Sequence, residues 1–370
     1  MTQTQANAPR PNPWLAAIDP YQPGKAQLEP GQEPLKLSAN ENPYGPSPAA
    51  VEMIRAHAHG VHRYPDGAAV RLRGKIGFVH GLDPARIVVG TGSDELLQLL
   101  PTIYCAPGDT VVHVRHGFMV YPIAARRAGA LPLAAPDRDY VADVDAILAT
   151  VRDDTRIVYI ANPNNPTGTF IPESKMRRLH AALRPDIVLV IDQAYAEYLD
   201  SPDPDGGLAL ARTMPNVVTT RTFSKIYGLG GLRVGWATGP AAIITELNRV
   251  RTPFPTATVS LVAAEAAIAD QEWVSRCREA NRTQRARLAA AISALGNQGL
   301  VAVPSEANFV LMTCPAEGPM RAEAIKAAFE KAGIIVRHLP GQGLPHALRI
   351  TVGTAAETGR VIDLLSERAA

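Results

Sequence analysis

Ile187-Val188-Leu189-Val190-Ile191 is an unbroken apolar run that ends in an acid, Asp192. A strand with one wetted face alternates apolar and polar residues, so a continuous run reads as a strand buried on both faces. Similar runs recur at Arg86-Ile87-Val88-Val89, Val111-Val112-His113-Val114, Ile157-Val158-Tyr159-Ile160, residues 217–222 and residues 234–237. Segments with helical spacing fall between them, at 94–104, 118–128 and 172–183. This alternation predicts an α/β fold with a large domain built on a mostly parallel sheet covered by helices.

The pattern changes after Pro255. Residues 258–295 are rich in Ala, Glu and Arg at helical spacing, and three further strands follow, at 308–312, 334–337 and 348–352. They read as a smaller α+β domain. The first stretch carries Pro11, Pro13, Pro20, Pro23, Pro30 and Pro34. Proline removes amide donors and fixes φ, so this stretch reads as an extended arm. The division expected is an arm over 1–35, on the small domain or a neighbouring subunit, a large domain over 36–255 and a small domain over 256–370.

Composition excludes several classes of function. With 37 basic and 35 acidic residues the net charge is +2, which gives no footprint for nucleic acid or an anionic membrane. No apolar run reaches the roughly 18 residues of a membrane span, and the first residues show no apolar signal segment. Cys105, Cys277 and Cys314 stand singly, with no zinc-type spacing. His57, His59 and His62 have no acidic or cysteine partner nearby and read as a helix end and turn. The expectation is a cytoplasmic protein that binds small molecules and no metal.

In open parallel sheets ligands sit at the carboxyl ends of the strands. Gly90-Thr91-Gly92-Ser93-Asp94-Glu95 follows the first strand and opens a helix, as either an anion site or a plain cap by Ser93. Asn162-Pro163-Asn164-Asn165-Pro166-Thr167-Gly168 follows the third, and Asp192 ends the fourth with Tyr195 three residues on. A buried carboxylate there needs a partner. Next comes Arg221-Thr222-Phe223-Ser224-Lys225, then a glycine-rich stretch to Arg233. The order of a nucleotide phosphate loop is absent and the dinucleotide fingerprint does not fit. A Schiff-base lysine among phosphate-binding hydroxyls also accounts for the Asp, Asn and Tyr at neighbouring strand ends.

Asn165-Pro166-Thr167-Gly168, Asp192-x-x-Tyr195 and Thr222-x-Ser224-Lys225 with Arg233 resemble the pyridoxal-phosphate aminotransferases of the aspartate aminotransferase fold, fold type I. The likeness spans nearly the whole chain. It narrows to the histidinol-phosphate aminotransferase family through Pro20-Tyr21-Gln22-Pro23-Gly24-Lys25, Leu37-Ser38-Ala39-Asn40-Glu41-Asn42-Pro43, His62-Arg63-Tyr64-Pro65-Asp66-Gly67, Gly92-Ser93-Asp94-Glu95, Asn308-Phe309 and Leu348-Arg349-Ile350-Thr351-Val352-Gly353. Two departures stand out. Gln193 replaces a common Glu after Asp192, and His116-Gly117-Phe118 replaces an often-seen Pro-Thr-aromatic.

The resemblance implies pyridoxal 5'-phosphate as cofactor, with Lys225 as the Schiff-base lysine and proton shuttle. Asp192 would pair with the pyridine nitrogen, Asn165 and Tyr195 would bond the phenolic oxygen, and Phe118 would stack on the ring. Ser93, the amides of Asp94 and Glu95, Thr222, Ser224 and Arg233 would hold the cofactor phosphate, joined by Tyr64 of a neighbouring subunit in a homodimer with shared sites. Arg349 would anchor the substrate anion, with Arg337, Asn40 and Tyr21 as further substrate contacts. The reaction implied is ping-pong exchange between L-histidinol phosphate and 2-oxoglutarate in histidine biosynthesis. An aromatic amino-acid or prephenate aminotransferase is the alternative on the same scaffold. A related phosphate-amino-acid decarboxylase would instead release carbon dioxide. A cofactor-sensing DNA-binding regulator would need a domain for which the short arm leaves no room.

Overall fold

The computed structural model describes residues 9–18 and 34–369. In chain order the strands are β1 (Leu35–Leu37), β2 (Ile87–Thr91), β3 (Thr110–Val114), β4 (Leu131–Ala135), β5 (Asp137–Arg138), β6 (Val141–Ala142), β7 (Thr155–Ala161), β8 (Val188–Asp192), β9 (Val217–Thr222), β10 (Val234–Thr238), β11 (Val301–Ala302), β12 (Phe309–Thr313), β13 (Ile334–Leu339) and β14 (Leu344–Thr351). The helices are α1 (Pro48–His57), α2 (Val70–His80), α3 (Gly92–Tyr104), α4 (Val120–Arg127), α5 (Val144–Thr150), α6 (Glu173–Ala182), α7 (Gly207–Thr213), α8 (Ala241–Val250), α9 (Thr258–Ala269), α10 (Gln271–Ala294), α11 (Ala322–Lys331) and α12 (Ala355–Ala369).

Seven strands form the large sheet in the order β2-β10-β9-β8-β7-β3-β4. All run parallel except β10, which is antiparallel to both neighbours. Successive residues of each central strand feed opposite cores. Val111, Ile157, Tyr159, Val188 and Val190 pack on the side of Leu96, Leu97 and Leu100 of α3. Val112, Val158, Ile160, Leu189 and Ile191 pack on the side of Met176 and Leu179 of α6. Two-sided burial is what the unbroken apolar runs require.

The small sheet has the order β1-β13-β14-β12-β11. One of its faces, with Leu37, Val310, Met312, Ile334, Val336, Leu348 and Ile350, is covered by residues of α10, α11 and α12. The other face turns toward the large sheet.

The structure divides the chain differently from the sequence reading at two places. Lys36 and Leu37 were grouped with the large domain, but β1 pairs in parallel with β13 and so belongs to the small sheet. Residues 258–269 were grouped with the small domain, but α9 shares a core with Leu72, Ile76, Phe223 and Trp236. An apolar helix and a three-residue strand carry no local mark of which sheet they join. The stretch of helical spacing at 258–295 forms two helices, α9 and α10, with the Asp270 carboxylate capping α10 through the Trp273 amide. Among the described residues no helix is long and apolar enough to cross a membrane.

Candidate active site

Three strands of the large sheet end in one cleft of about 440 Å³, bordered by Ala161, Asp192 and Thr222, the last residues of β7, β8 and β9. The start of α3 forms one wall and the free face of the small sheet the other. The lining charges are Lys36, Lys225, Arg233, Arg337 and Arg349 against Asp94 and Asp192, an excess of cations suited to a multiply anionic ligand.

A cluster of hydrogen-bond donors suited to an anion, one pole of the cleft, lies where α3 meets β10. Helix α3 begins at Gly92, two residues earlier than the sequence pattern indicated, so Ser93 lies inside the first turn and Thr91 is the cap. First-turn amides have no partner within the helix and face the cleft side of the sheet. A side chain on Gly92, at φ +78°, would meet the Arg233 guanidinium at 2.8 Å, so glycine is what lets that guanidinium sit against the helix end. Arg233 Nη1 donates to Ser224 Oγ at 3.2 Å and to the Gly230 carbonyl at 2.9 Å. Thr222 Oγ1 accepts from the Ser224 amide at 3.1 Å. Burial pushes the Asp94 carboxyl upward, against the pull of Arg233 and a hydrogen bond from Gln98.

Asp192 is buried at the centre of the cleft floor. Its oxygens accept from Tyr121 Oη at 2.8 Å, Thr220 Oγ1 at 3.2 Å and the Ala194 amide at 3.2 Å. Among the described residues no ion pair meets it, so the structural salt bridge that would have explained this carboxylate is not there. Burial raises its pKa, opposed by the bonds from Tyr121, Thr220 and Ala194. A cationic N–H arriving from the cleft would supply the missing charge. Tyr121, fully buried and stacked on Tyr159 at 4.6 Å, was not singled out from sequence. Its signal was a tyrosine on an apolar helix face, where the hydroxyl needs a buried partner.

Lys225 sits on the turn after β9, anchored on both sides by buried Phe223 and Ile226. Its Nζ donates to the Ala39 carbonyl at 3.2 Å and lies 5.7 Å from the Tyr195 ring centre. Desolvation, with the nearby Arg349 charge, brings its pKa down to about 8. Tyr195 Oη accepts from Asn40 Nδ2 at 2.9 Å. Phe118 borders the cleft and meets Tyr121 edge-on at 5.8 Å.

The second pole is on the small sheet. Arg349 Nη1 donates to Asn165 Oδ1 at 2.5 Å, Nη2 to the Ser38 carbonyl at 2.7 Å, and the guanidinium stacks over Phe309 at 5.2 Å. With Oδ1 engaged, Asn165 has its Nδ2 to donate. Arg337 pairs directly with Arg349 across β13 and β14. Like charges at paired positions repel, and an anion between them relieves that repulsion. The turn after β1 supplies carbonyls to both Lys225 and Arg349, a role of Ser38 and Ala39 that side-chain reasoning could not see.

Behind the site, on the opposite faces of the same strand ends, runs a buried polar chain. Arg221 meets Glu197 at 3.4 Å and donates from Nε to Gln193 Oε1 at 2.9 Å. Gln193 Nε2 donates in turn to Asp205 Oδ1, and Asp205 Oδ2 accepts from Asn162 Nδ2 at 2.9 Å. Gln193 therefore accepts on one side and donates on the other, which a glutamate cannot do when ionised. Burial raises the pKa of both Asp205 and Glu197.

Three expected residues make further side-chain contacts of their own. Glu95 does not border the cleft; its carboxylate accepts from the Thr91 amide at 2.6 Å and caps α3. Asn40 borders the cleft, its Oδ1 accepting from Thr351 at 3.2 Å and its Nδ2 donating to Tyr195. Tyr64 is 83% exposed, stacked on Phe254 at 4.7 Å and outside this chain's own cleft. Tyr21 lies outside the described residues. His57 ends α1, its Nδ1 3.0 Å from the Met53 carbonyl.

Residues 32–365 match the family described as Aminotransferase class I and II. The chain is 52% identical over 361 residues to a histidinol-phosphate aminotransferase of Erythrobacter litoralis, covering 98% of each chain. It is 52% identical to one of Ruegeria pomeroyi, covering 95% of this chain and 96% of the other. The crystal structure of histidinol-phosphate aminotransferase from Sinorhizobium meliloti in complex with pyridoxal-5'-phosphate superposes with a TM-score of 0.88 at 27% identity, covering 99% of each chain. A family model matched over most of the chain and relatives half identical over nearly its whole length lead to one conclusion: the chain belongs to the histidinol-phosphate aminotransferase family within aminotransferase class I and II.

Proposed function

We propose that this protein is a pyridoxal-phosphate enzyme that interconverts L-histidinol phosphate and 2-oxoglutarate with imidazole-acetol phosphate and L-glutamate, by ping-pong transamination. The observation that carries the reading is Lys225 set between two separate poles suited to anions. One suits a cofactor phosphate, the other the anion of either substrate. Pyridoxal phosphate fits the donor set, because buried Asp192 lacks a cation and a pyridinium N–H provides one. When bound, the cofactor supplies the electron sink for a carbanion next to the substrate nitrogen.

The chain's own residues do the rest. Ser93, the α3 amides, Thr222, Ser224 and Arg233 would hold the cofactor's phosphate, and Asp192, braced by Tyr121, would favour the protonated ring nitrogen. Asn165 and Tyr195 would bond its phenolic oxygen, and Phe118 would cover the ring. Lys225, its pKa brought down to about 8 before the cofactor joins it, would take and return the proton of the substrate carbon. Arg349, with Arg337, orients the substrate anion.

We place this enzyme in the cytoplasm. Its cysteines are unpaired, and burial pushes Cys105 and Cys314 up to about 12, so they remain thiols. We assign residues 35–37 and 271–369 to a small unit and the rest of the described residues from 38 to 270 to a large one. We also infer a homodimer in which Tyr64 reaches the partner's cofactor. Exposed Val61, Tyr64, Val70 and Phe254 form an apolar surface that supports this.

Purified enzyme assayed with a panel of amino donors and keto acids tests the reading. Histidinol phosphate with 2-oxoglutarate is expected to outpace phenylalanine or tyrosine by at least about tenfold; the reverse order would move the assignment to aromatic transamination. Arg349→Ala is expected to lower kcat/KM for glutamate and for histidinol phosphate alike by at least about tenfold, the worth of a charge-assisted contact. Loss with one substrate only would refute a shared anchor.

A further inference from the structure

Lys36 borders the cleft, yet none of the roles assigned above uses it. The register of the small sheet puts it there. Lys36 pairs with Ile335, Arg337 lies two residues further along β13, and Arg337 pairs with Arg349. Side chains alternate along strands, so Lys36, Arg337 and Arg349 project from one face, opposite the face covered by α10, α11 and α12. Lys36 itself meets one carboxylate among the described residues. After Asn40 turns the chain at φ +57°, Glu41 comes back to meet Lys36 Nζ at 3.0 Å. The two side chains are 35% and 53% exposed, and such a pair contributes little. Lys36 can exchange that carboxylate for a better anion.

We propose that Lys36 is the specificity-determining cation for the phosphate monoester of the substrate, engaged when the dianion draws it from Glu41. This rests on the proposed reaction. The two alternating substrates differ in charge at the shared pole. A carboxylate carries one negative charge and two acceptor oxygens, which Arg349 and Arg337 can occupy between them. A phosphate monoester carries about −1.5 to −2 at pH 7, with a second pKa near 6 and three acceptor oxygens. The third oxygen and the added charge give a further cation something to hold, and a point charge on a flexible stem suits phosphate. Arg233 and Lys225 are committed to the cofactor, so Lys36 is the cation of the cleft that remains. With glutamate bound, Lys36 stays on Glu41.

The experiment uses holoenzyme and the variants Lys36→Met, which keeps the stem, and Lys36→Arg, which keeps the charge. Half-reactions with histidinol phosphate and with glutamate are followed separately, with thermal melting as a control for folding. Lys36→Met is expected to lower kcat/KM for histidinol phosphate about tenfold, mainly through KM, and to change glutamate less than about twofold. Lys36→Arg is expected to recover most of the loss. The deficit should shrink at pH 5.5, where the phosphate is largely a monoanion, the charges around it being Glu41, Arg337, Arg349 and Lys225. A second arm measures O-phosphoethanolamine as a competitive inhibitor of the glutamate half-reaction, with its Ki expected to rise about tenfold in Lys36→Met. Equal losses with both substrates, or an unchanged Ki, would overturn the role of Lys36. If the parent enzyme fails to use histidinol phosphate while the Ki still depends on Lys36, the reaction assignment falls and the phosphate site stands.

Discussion

Burial moves the titration of two residues of the cleft toward their neutral forms. Lys225 is brought from 10.5 to about 8 by desolvation and by Arg349. Only a neutral amine attacks an aldehyde, so the cofactor-free protein should take up pyridoxal phosphate faster as pH rises, with a midpoint near 8. Stopped-flow absorbance measures this; a rate still climbing steeply at pH 10 would contradict it. Lys225→Ala should lose turnover altogether, and borohydride reduction of the parent should label that lysine. Asp192 carries the opposite problem, a buried anion stabilised by three hydrogen bonds but no cation. Asp192→Asn preserves shape and removes charge. A loss of at least about a hundredfold in kcat is expected, the scale of a preorganised electrostatic contact. Near-parental turnover would leave the carboxylate a structural role only.

At the scale of elements, the ends of β7, β8 and β9 are held in register by a polar chain on their far side. Gln193 is its centre, accepting from Arg221 and donating to Asp205. Gln193→Glu sets two carboxylates in contact. The pair shares a proton in the folded state and so titrates above the ordinary carboxylate range. A carboxyl whose folded pKa is raised favours the native state at low pH and loses that advantage as pH rises through the raised value. The variant should melt near the parent at pH 5 and be destabilised by about 2 kcal/mol or more at pH 8. Gln193→Glu combined with Asp205→Asn should recover most of the loss, because one amide and one carboxylate again face each other. A melting deficit independent of pH would argue against this account. The element scale is also where sequence reading was most uneven. The run 187–191 was legible as a strand because burial on both faces leaves no polar residue in it, while 217–222, which carries Thr219, Thr220, Arg221 and Thr222, was legible by its β-branched residues. β4, with Pro132 and two exposed positions, and the three-residue β1 carried no such mark.

For the whole molecule, Tyr64 stands in solvent beside Phe254, away from its own cleft. If it completes a second copy's phosphate pole, the parent should sediment at twice the 39.5 kDa chain mass. Tyr64→Ala should raise the cofactor dissociation constant about tenfold with the monomer fold unchanged, the worth of one hydrogen bond to a charged group. A monomeric, fully active parent would remove the shared site.

The apolar runs, the acid that ends one of them, and the lysine among hydroxyls and glycines are local in the chain. Hydrophobic periodicity and the cost of burying charge made the large sheet and Asp192, Lys225 and Arg233 legible from sequence alone. What the tertiary structure decided is non-local. Strand register set Arg337 opposite Arg349 and Lys36 on their face, and the packing of α4 under β8 delivered Tyr121 to Asp192. Side-chain geometry turned Glu95 into a cap and set Asn40 against Tyr195. A sequence states which groups are present; which of them meet depends on pairings over hundreds of residues, as between Ser38 and Arg349, that no local pattern encodes.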